Sequence, residues 1–396
     1  MWFFYLFALI PVAVGAYLFY KKDTIVWGEW LGGTVAAFIL AGIMHFVAIR
    51  GMTDDMETWS GYITKVSHHP EWVEHWVETH TETYTTGSGE NQQTHTRTWT
   101  TDEYDTHPEH WVAHRDFGTL TDEAEIEKAI FNSLSKKFGG KIFTDGLQSL
   151  NHGGNRHRGD QNIYSVNNDK GYIAPVTIIQ RFENRIKASP TVFSFATVPT
   201  NINVHPWPSN DDWMKSDRLL GTASVLIDTY KFDCMNSLLG PRKKVNVIMV
   251  GFANEGSEYG QWQQAKWIGG KKNDLVLCFG GATTKKKADW SYVFGWTENE
   301  LVKKNLQSIL MNHPINNDIL PLITEEINQN YKIKDWSKFD YISIQPPTWS
   351  YWTFIILLAL TQTGLYIWFH SNEFHKGGIV GRVSSYYRNV RWSRRF

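Results

Sequence analysis

Cysteine is nearly missing from this chain, with Cys234 and Cys278 the only two in 396 residues. That excludes a disulfide-dense scaffold and any site built on paired CxxC motifs. An excess of one charge is missing too: Lys+Arg 39 against Asp+Glu 40 leaves no global basic field to hold nucleic acid. An electrostatic partner must therefore be sought at local clusters. The polar bias of disordered chains is lacking as well, since 42% hydrophobic and 20% charged residues are ordinary for folded protein, and the length leaves room for more than one core. What the chain has in quantity is aromatic residues, 15% of the total with 19 Trp, a class that gathers at membrane interfaces and recognition surfaces.

Three uncharged stretches match the roughly 20 residues needed to cross a bilayer. They are residues 2–20, 31–49 and 348–369. The first is aromatic to its end and lacks both a basic n-region and a small-x-small step before Lys21, which argues for a span over a cleaved signal peptide. The second carries Gly32 and Gly33 for close packing, and its one titratable group, His45, reads as a packing residue over a proton relay. The third follows Pro346 and Pro347 and has Trp or Tyr at both borders. Beyond it, the tail 370–396 holds Arg382, Arg388, Arg391, Arg394 and Arg395. By the positive-inside rule that tail is cytoplasmic, residues 51–347 lie outside, and the Lys21-Lys22 loop returns to the inside. The same arginines, interleaved with aromatics, suit the surface of anionic membrane lipids.

Residues 51–118 are rich in Thr, Trp and His. "VETHTETYTT" from Val77 and "THTRTWTT" from Thr94 alternate with period two around "GSGENQQ", which predicts a long β-hairpin over 77–101, polar on both faces. Such an arm is a docking surface for an envelope protein or polymer. The flanks "HHPEWVEHW" and "HPEHWVAH" echo each other and pair naturally as its base. Eight histidines fall in this region beside Glu71, Glu74 and Glu109, a composition that suits zinc or copper. The spacing His107-x-x-His110-x-x-x-His114 lines one face if the segment is helical, although Pro108 opposes a helix and no HExxH is present.

Residues 119–347 read as an α/β sandwich. Thr119–Gly139 has Ile126, Ile130, Leu134 and Phe138 at helical spacing, with Thr119 and Asp122 as a capping pair and Gly139 as the stop. The order β-α-β-β-α-α follows in "KVNVIMVGF", "SEYGQWQQAKW", "NDLVLCFGG", "ADWSYVFGW", a helix opened by a Thr297/Glu300 capping box, and a last helix to about Tyr331. In "QAKWIGGKKNDLVLCFGG" the glycines end a helix instead of leading from a strand into one, so this is a joint and not a phosphate cradle. Asp274 and Asp289 are the acidic residues at its strand edges, and they make a second candidate metal rim, for calcium or zinc. Cys278 in an apolar strand reads as a buried thiol, with a disulfide to Cys234 the alternative.

"KWIGGKKNDLVLCF" followed by "WSYVFGWTENELVKKNL" resembles the pattern of TPM-domain proteins over residues 240–335, with Leu275 where that pattern has glycine. The resemblance implies an extracytoplasmic α/β domain tethered to a membrane. More broadly, "ETWSGYIT", the Thr-rich hairpin with its "GSG" turn, "DRLLG" and "KKVNVIMV" are similar to a group of uncharacterised membrane proteins of tailed bacteriophages. That implies phage origin and a location in the host inner membrane, and it implies no activity. The expectation is an α+β extracytoplasmic domain anchored by three transmembrane helices. Its leading reading is a non-enzymatic binding protein without nucleic-acid partners, and its rival is a metal-dependent envelope hydrolase.

Overall fold

The computed structural model describes residues 3–22, 27–87, 92–140, 142–145, 149–152, 155–158, 163–209 and 217–371. The chain forms two compact units. One comprises Met1–Met56, Arg181–Phe195 and Asp335–Phe396, and the other Glu57–Gln180 and Ala196–Lys334. The basic tail arginines lie outside the described residues.

Helix α1 (Phe3–Tyr17) contains Pro11 and runs into a π-helical turn, Leu18–Lys22. Helix α2 (Trp27–Thr53) follows. Strands β1 (Asp54–His69), β2 (Trp72–Thr86), β3 (Gln93–His107), β4 (His110–Asp116) and β5 (Thr121–Ile126) lead to helix α3 (Lys128–Phe138). After it come β6 (Ile142–Asp145), β7 (Ser149–His152), β8 (Asn155–Arg158), β9 (Ile163–Asn167), β10 (Pro175–Glu183) and the short helix α4 (Arg185–Ala188). One sheet has the order β5-β4-β1-β9-β6 with β10 beside β1, while among the described residues β2 pairs with β3 and β7 with β8 as separate two-stranded sheets.

Helix α3 is shorter than its sequence pattern predicts. Thr121–Ile126 is a strand paired with β4, and Asp122 forms a bidentate ion pair with Arg115 at 2.7 and 2.8 Å in place of a cap. The reason is visible in the residues: "TDEAEI" alternates with period two as well as fitting a helix, and the open edge of β4 selects the strand. Leu134 and Phe138 pack with Ile63, Val66, Ala113 and Val166 of the sheet, and Gly139 at φ 60° ends the helix by donating its amide to Ser135 O.

The second half of this unit opens with β11 (Leu219–Gly221), α5 (Ala223–Leu226) and α6 (Thr229–Lys243). There follow β12 (Asn246–Phe252), α7 (Glu258–Lys266), β13 (Asp274–Gly280), β14 (Trp290–Gly295), α8 (Leu301–Asn312) and α9 (Ile319–Asn330). The sheet order is β11-β12-β13-β14, parallel except for β14. All residues of β12 and β13 are buried, as an unbroken apolar run requires when helices cover both faces. Val247, Met249, Leu275 and Leu277 meet α6, α8 and α9, whereas Ile248, Val250, Val276 and Cys278 meet Tyr259 and Trp267 at α7. Both crossovers step the same way along the sheet while α6 and α7 cover opposite faces. The two crossovers therefore have opposite hands, one of them the rare left hand. The joint after α7 has Ile268, Gly269 and Gly270 at positive φ. Thr297 does not cap α8: Glu300 is the N-cap residue and makes no side-chain cap, and the Thr297 hydroxyl donates to Lys332 O at 3.0 Å. Cys234 and Cys278 are free thiols.

Helix α10 (Thr348–Ser371) completes the chain's described elements. Three helices, Phe3–Tyr20, Trp27–Thr53 and Thr348–Phe369, are long and apolar enough to cross a membrane, which fits a membrane protein. They share a small core of Phe4, Ala8, Ala37, Ala41, Met44, Phe354 and Leu358. Polar groups on them are spent between helices: Trp30 Nε1 donates to Val12 O and Gln362 Nε2 to Gly33 O, both at 3.0 Å. His45 packs edge-on to Phe4 and beside Tyr5. A mainly apolar cavity of about 790 Å³ opens between the helices near Pro11, Gly15, Trp30 and Gln362.

Candidate functional site

The β2–β3 ladder pairs fifteen residues from Trp72↔His107 to Thr86↔Gln93. Period-two alternation sorts its side chains into two faces. On one face four threonines of β2 stand directly opposite four of β3: Thr79↔Thr100, Thr81↔Thr98, Thr83↔Thr96 and Thr85↔Thr94. On the other, rings stack across the strands, His80 on Trp99 at 5.5 Å and Tyr84 on His95 at 5.5 Å, with the Arg97 guanidinium 5.8 Å from the Trp99 ring. Residues 79–86 and 93–102 are exposed apart from His80 itself, so no hydrophobic core supports them. Cross-strand pairs worth about 0.2–1 kcal/mol each hold such a ribbon together.

The histidine-rich flanks continue this ladder into the main sheet, where His69 faces His110 and His68 faces Trp111. His107, His110 and His114 lie on strands, so the helical face that the spacing invites does not form; Pro108 breaks the chain between β3 and β4. His110 stacks on His69 at 4.5 Å, and burial together with the His110 charge pushes His69 down to about 4. His114 sits between Ser67 Oγ at 2.8 Å and Glu123 at 3.0 Å. His107 joins different partners. Its Nε2 lies 3.1 Å from Glu74 Oε2, and Glu74, Asp105 and His107 each present a ligand atom within 4.8 Å of the others.

Asp274 and Asp289 do not converge. Asp274 begins β13 and Asp289 precedes Trp290, which pairs with Gly280 at the far end of the same strand, about 20 Å away at ~3.3 Å per residue. Asp289 is exposed and bound to Lys286 at 2.8 Å. Asp274 is fully buried, accepts from Asn246 Nδ2 and from the Lys271 amide at 2.7 Å each, and is pushed up to about 7 by desolvation against those hydrogen bonds.

That carboxyl belongs to a buried polar network. Arg218, 1% exposed, donates to Ser60 Oγ, to Asn246 Oδ1 at 3.3 Å and to Asp233 Oδ1 at 2.8 Å. Desolvation lowers the Arg218 pKa while Asp233 opposes the shift. Glu57, also buried and raised by desolvation, accepts from Trp59 Nε1 at 2.8 Å and lies 4.0 Å from Lys272. Sequence reading passed over Arg218, Glu57 and Asn246, because a lone charged residue at the start of an apolar run carries no local sign of burial. It also missed Asp105, whose place beside Glu74 is a matter of register. No protein-family model, curated protein or solved structure matches this chain.

Proposed function

We propose that the chain is a membrane-anchored, non-enzymatic binding or scaffolding protein that presents its β-ribbon and α/β domain on the outer side of a bacterial host inner membrane. The observation that carries this reading is the ribbon itself: two polar faces with stacked rings and arginine, exposed along most of their length. A two-stranded ribbon without a core is marginal alone, and a surface of this kind earns its place by being covered by a partner. Exposed strand edges add main-chain hydrogen-bonding capacity to that surface. The partner class is an envelope protein or polymer, with anionic lipid at the basic tail. The phage origin rests on the sequence resemblance, and the outward orientation on the charge of residues 370–396.

The test replaces residues 78–101 by an Asn-Gly turn, which restores a short hairpin. The shortened protein should insert in membranes and melt as wild type does while losing retention on isolated host cell-wall polymer, and in the full-length protein a photo-reactive residue at position 99 should crosslink to the partner in higher yield than one placed on another surface. Equal retention and unchanged crosslinking yields from another surface would overturn the reading. A second reading, a metal-dependent envelope hydrolase, draws support from the imidazole and carboxylates that meet at the base of the ribbon.

A further inference from the structure

The geometry points to a binding site for a zinc-class divalent cation formed by Glu74, Asp105 and His107 at the base of the β2–β3 ribbon. It does not rest on the binding function proposed above. Glu74 and Asp105 are directly opposed across the ladder, and His107 follows Asp105 by two residues on the same face. Like charges in directly opposed positions destabilise a strand pair. Glu74 is 0% exposed and has the His107 imidazole 3.1 Å from its Oε2, while Asp105 is exposed, so an ion can reach the pair from the Asp105 side. A divalent cation between the two carboxylates turns that repulsion into attraction.

The donor set selects the kind of ion. One imidazole and two carboxylates suit zinc and its neighbours, whereas calcium takes six to eight oxygen ligands. Tetrahedral zinc with bonds of about 2.0–2.1 Å separates its ligand atoms by roughly 3.3 Å. His107 Nε2 and Glu74 Oε2 already stand 3.1 Å apart, and Asp105 completes a set whose ligand atoms lie within 4.8 Å of one another. The imidazole plane is held by Trp72, stacked on it at 4.3 Å and 9°. Three protein ligands leave the fourth position to water. Of the histidines that the sequence spacing groups, only His107 belongs to this site; His110 and His114 are engaged on β4.

The full-length protein in detergent, stripped with chelator, is titrated with zinc by calorimetry and with cobalt by visible absorption. Wild type should bind a stoichiometric ion and give the intense visible bands of tetrahedral cobalt. Asp105→Asn and His107→Gln, at exposed and half-exposed positions, should keep the chelator-treated melting temperature and weaken zinc at least tenfold, and His110→Gln should bind as wild type does. Glu74→Gln, at the buried position, should lose the ion whether or not its melting temperature falls. Absence of stoichiometric zinc from wild type, or wild-type affinity in Asp105→Asn and His107→Gln, would overturn the site.

Discussion

Asp274 carries a pH dependence whose sign follows from burial. Its folded pKa, about 7, stands above the ordinary 3.8, so the native state binds a proton that the unfolded state releases between those values. The stability tied to this group is fully present below about pH 4 and is lost as pH rises through 7. An upper bound is about 4 kcal/mol, from roughly 1.4 kcal/mol per unit. Glu57, raised for the same first cause, acts in the same direction. His69, held down at about 4, acts in the opposite direction below pH 6.5, so the Asp274 contribution is read as the difference in unfolding temperature between wild type and Asp274→Asn from pH 4 to 8, which should shrink with rising pH. Asp274→Asn should lose the component of stability that falls with rising pH, with a loss of about 1–3 kcal/mol at low pH because the amide cannot accept from both Asn246 and the Lys271 amide. An unchanged slope in the variant would show that Asp274 is not the titrating group.

At the scale of elements, the molecule contrasts strands buried on both faces with strands buried on neither. β12 and β13 are covered on both faces, and their amides open only with the whole domain. The ribbon between Thr79 and Thr100 has cross-strand pairs and stacked rings but no core, so its amides open locally. Hydrogen exchange should show residues 79–85 and 94–100 exchanging orders of magnitude faster than 247–251 and 275–279. Equal protection would mean that something in the intact protein covers the ribbon already. Saturating zinc should slow exchange near the ribbon base first, if the ion crosses the strands there.

For the whole molecule, the three apolar helices predict a protein that stays in the membrane pellet after alkaline carbonate and needs detergent for release. Orientation is read by a single thiol. In a Cys234→Ala background, with Cys278 fully buried, Thr83→Cys places an accessible thiol on the ribbon. A membrane-impermeant reagent should label it in intact spheroplasts. Protection until lysis would put residues 51–347 in the cytoplasm and remove the envelope reading.

Sequence alone determined the features that a local window contains. Twenty uncharged residues are a helix that fits a bilayer, an unbroken apolar run such as "NVIMVGF" is a strand covered on both faces, and Gly269-Gly270 is a stop, because length, hydropathy and φ preference act within a few residues. Where two local patterns coincide, as in "TDEAEI", the window reads as helix, and the edge of β4 made it a strand instead. Tertiary structure alone decided which charged groups meet. Asp105 reaches Glu74 through strand register, Arg218 meets Asp233 and Asn246 through the crossover, and Asp274 and Asp289 part because a strand separates them. Side-chain chemistry is written residue by residue, but burial and proximity are set by pairing between distant segments, and those terms turn an acid into a ligand, a titrating group or a solvated surface charge.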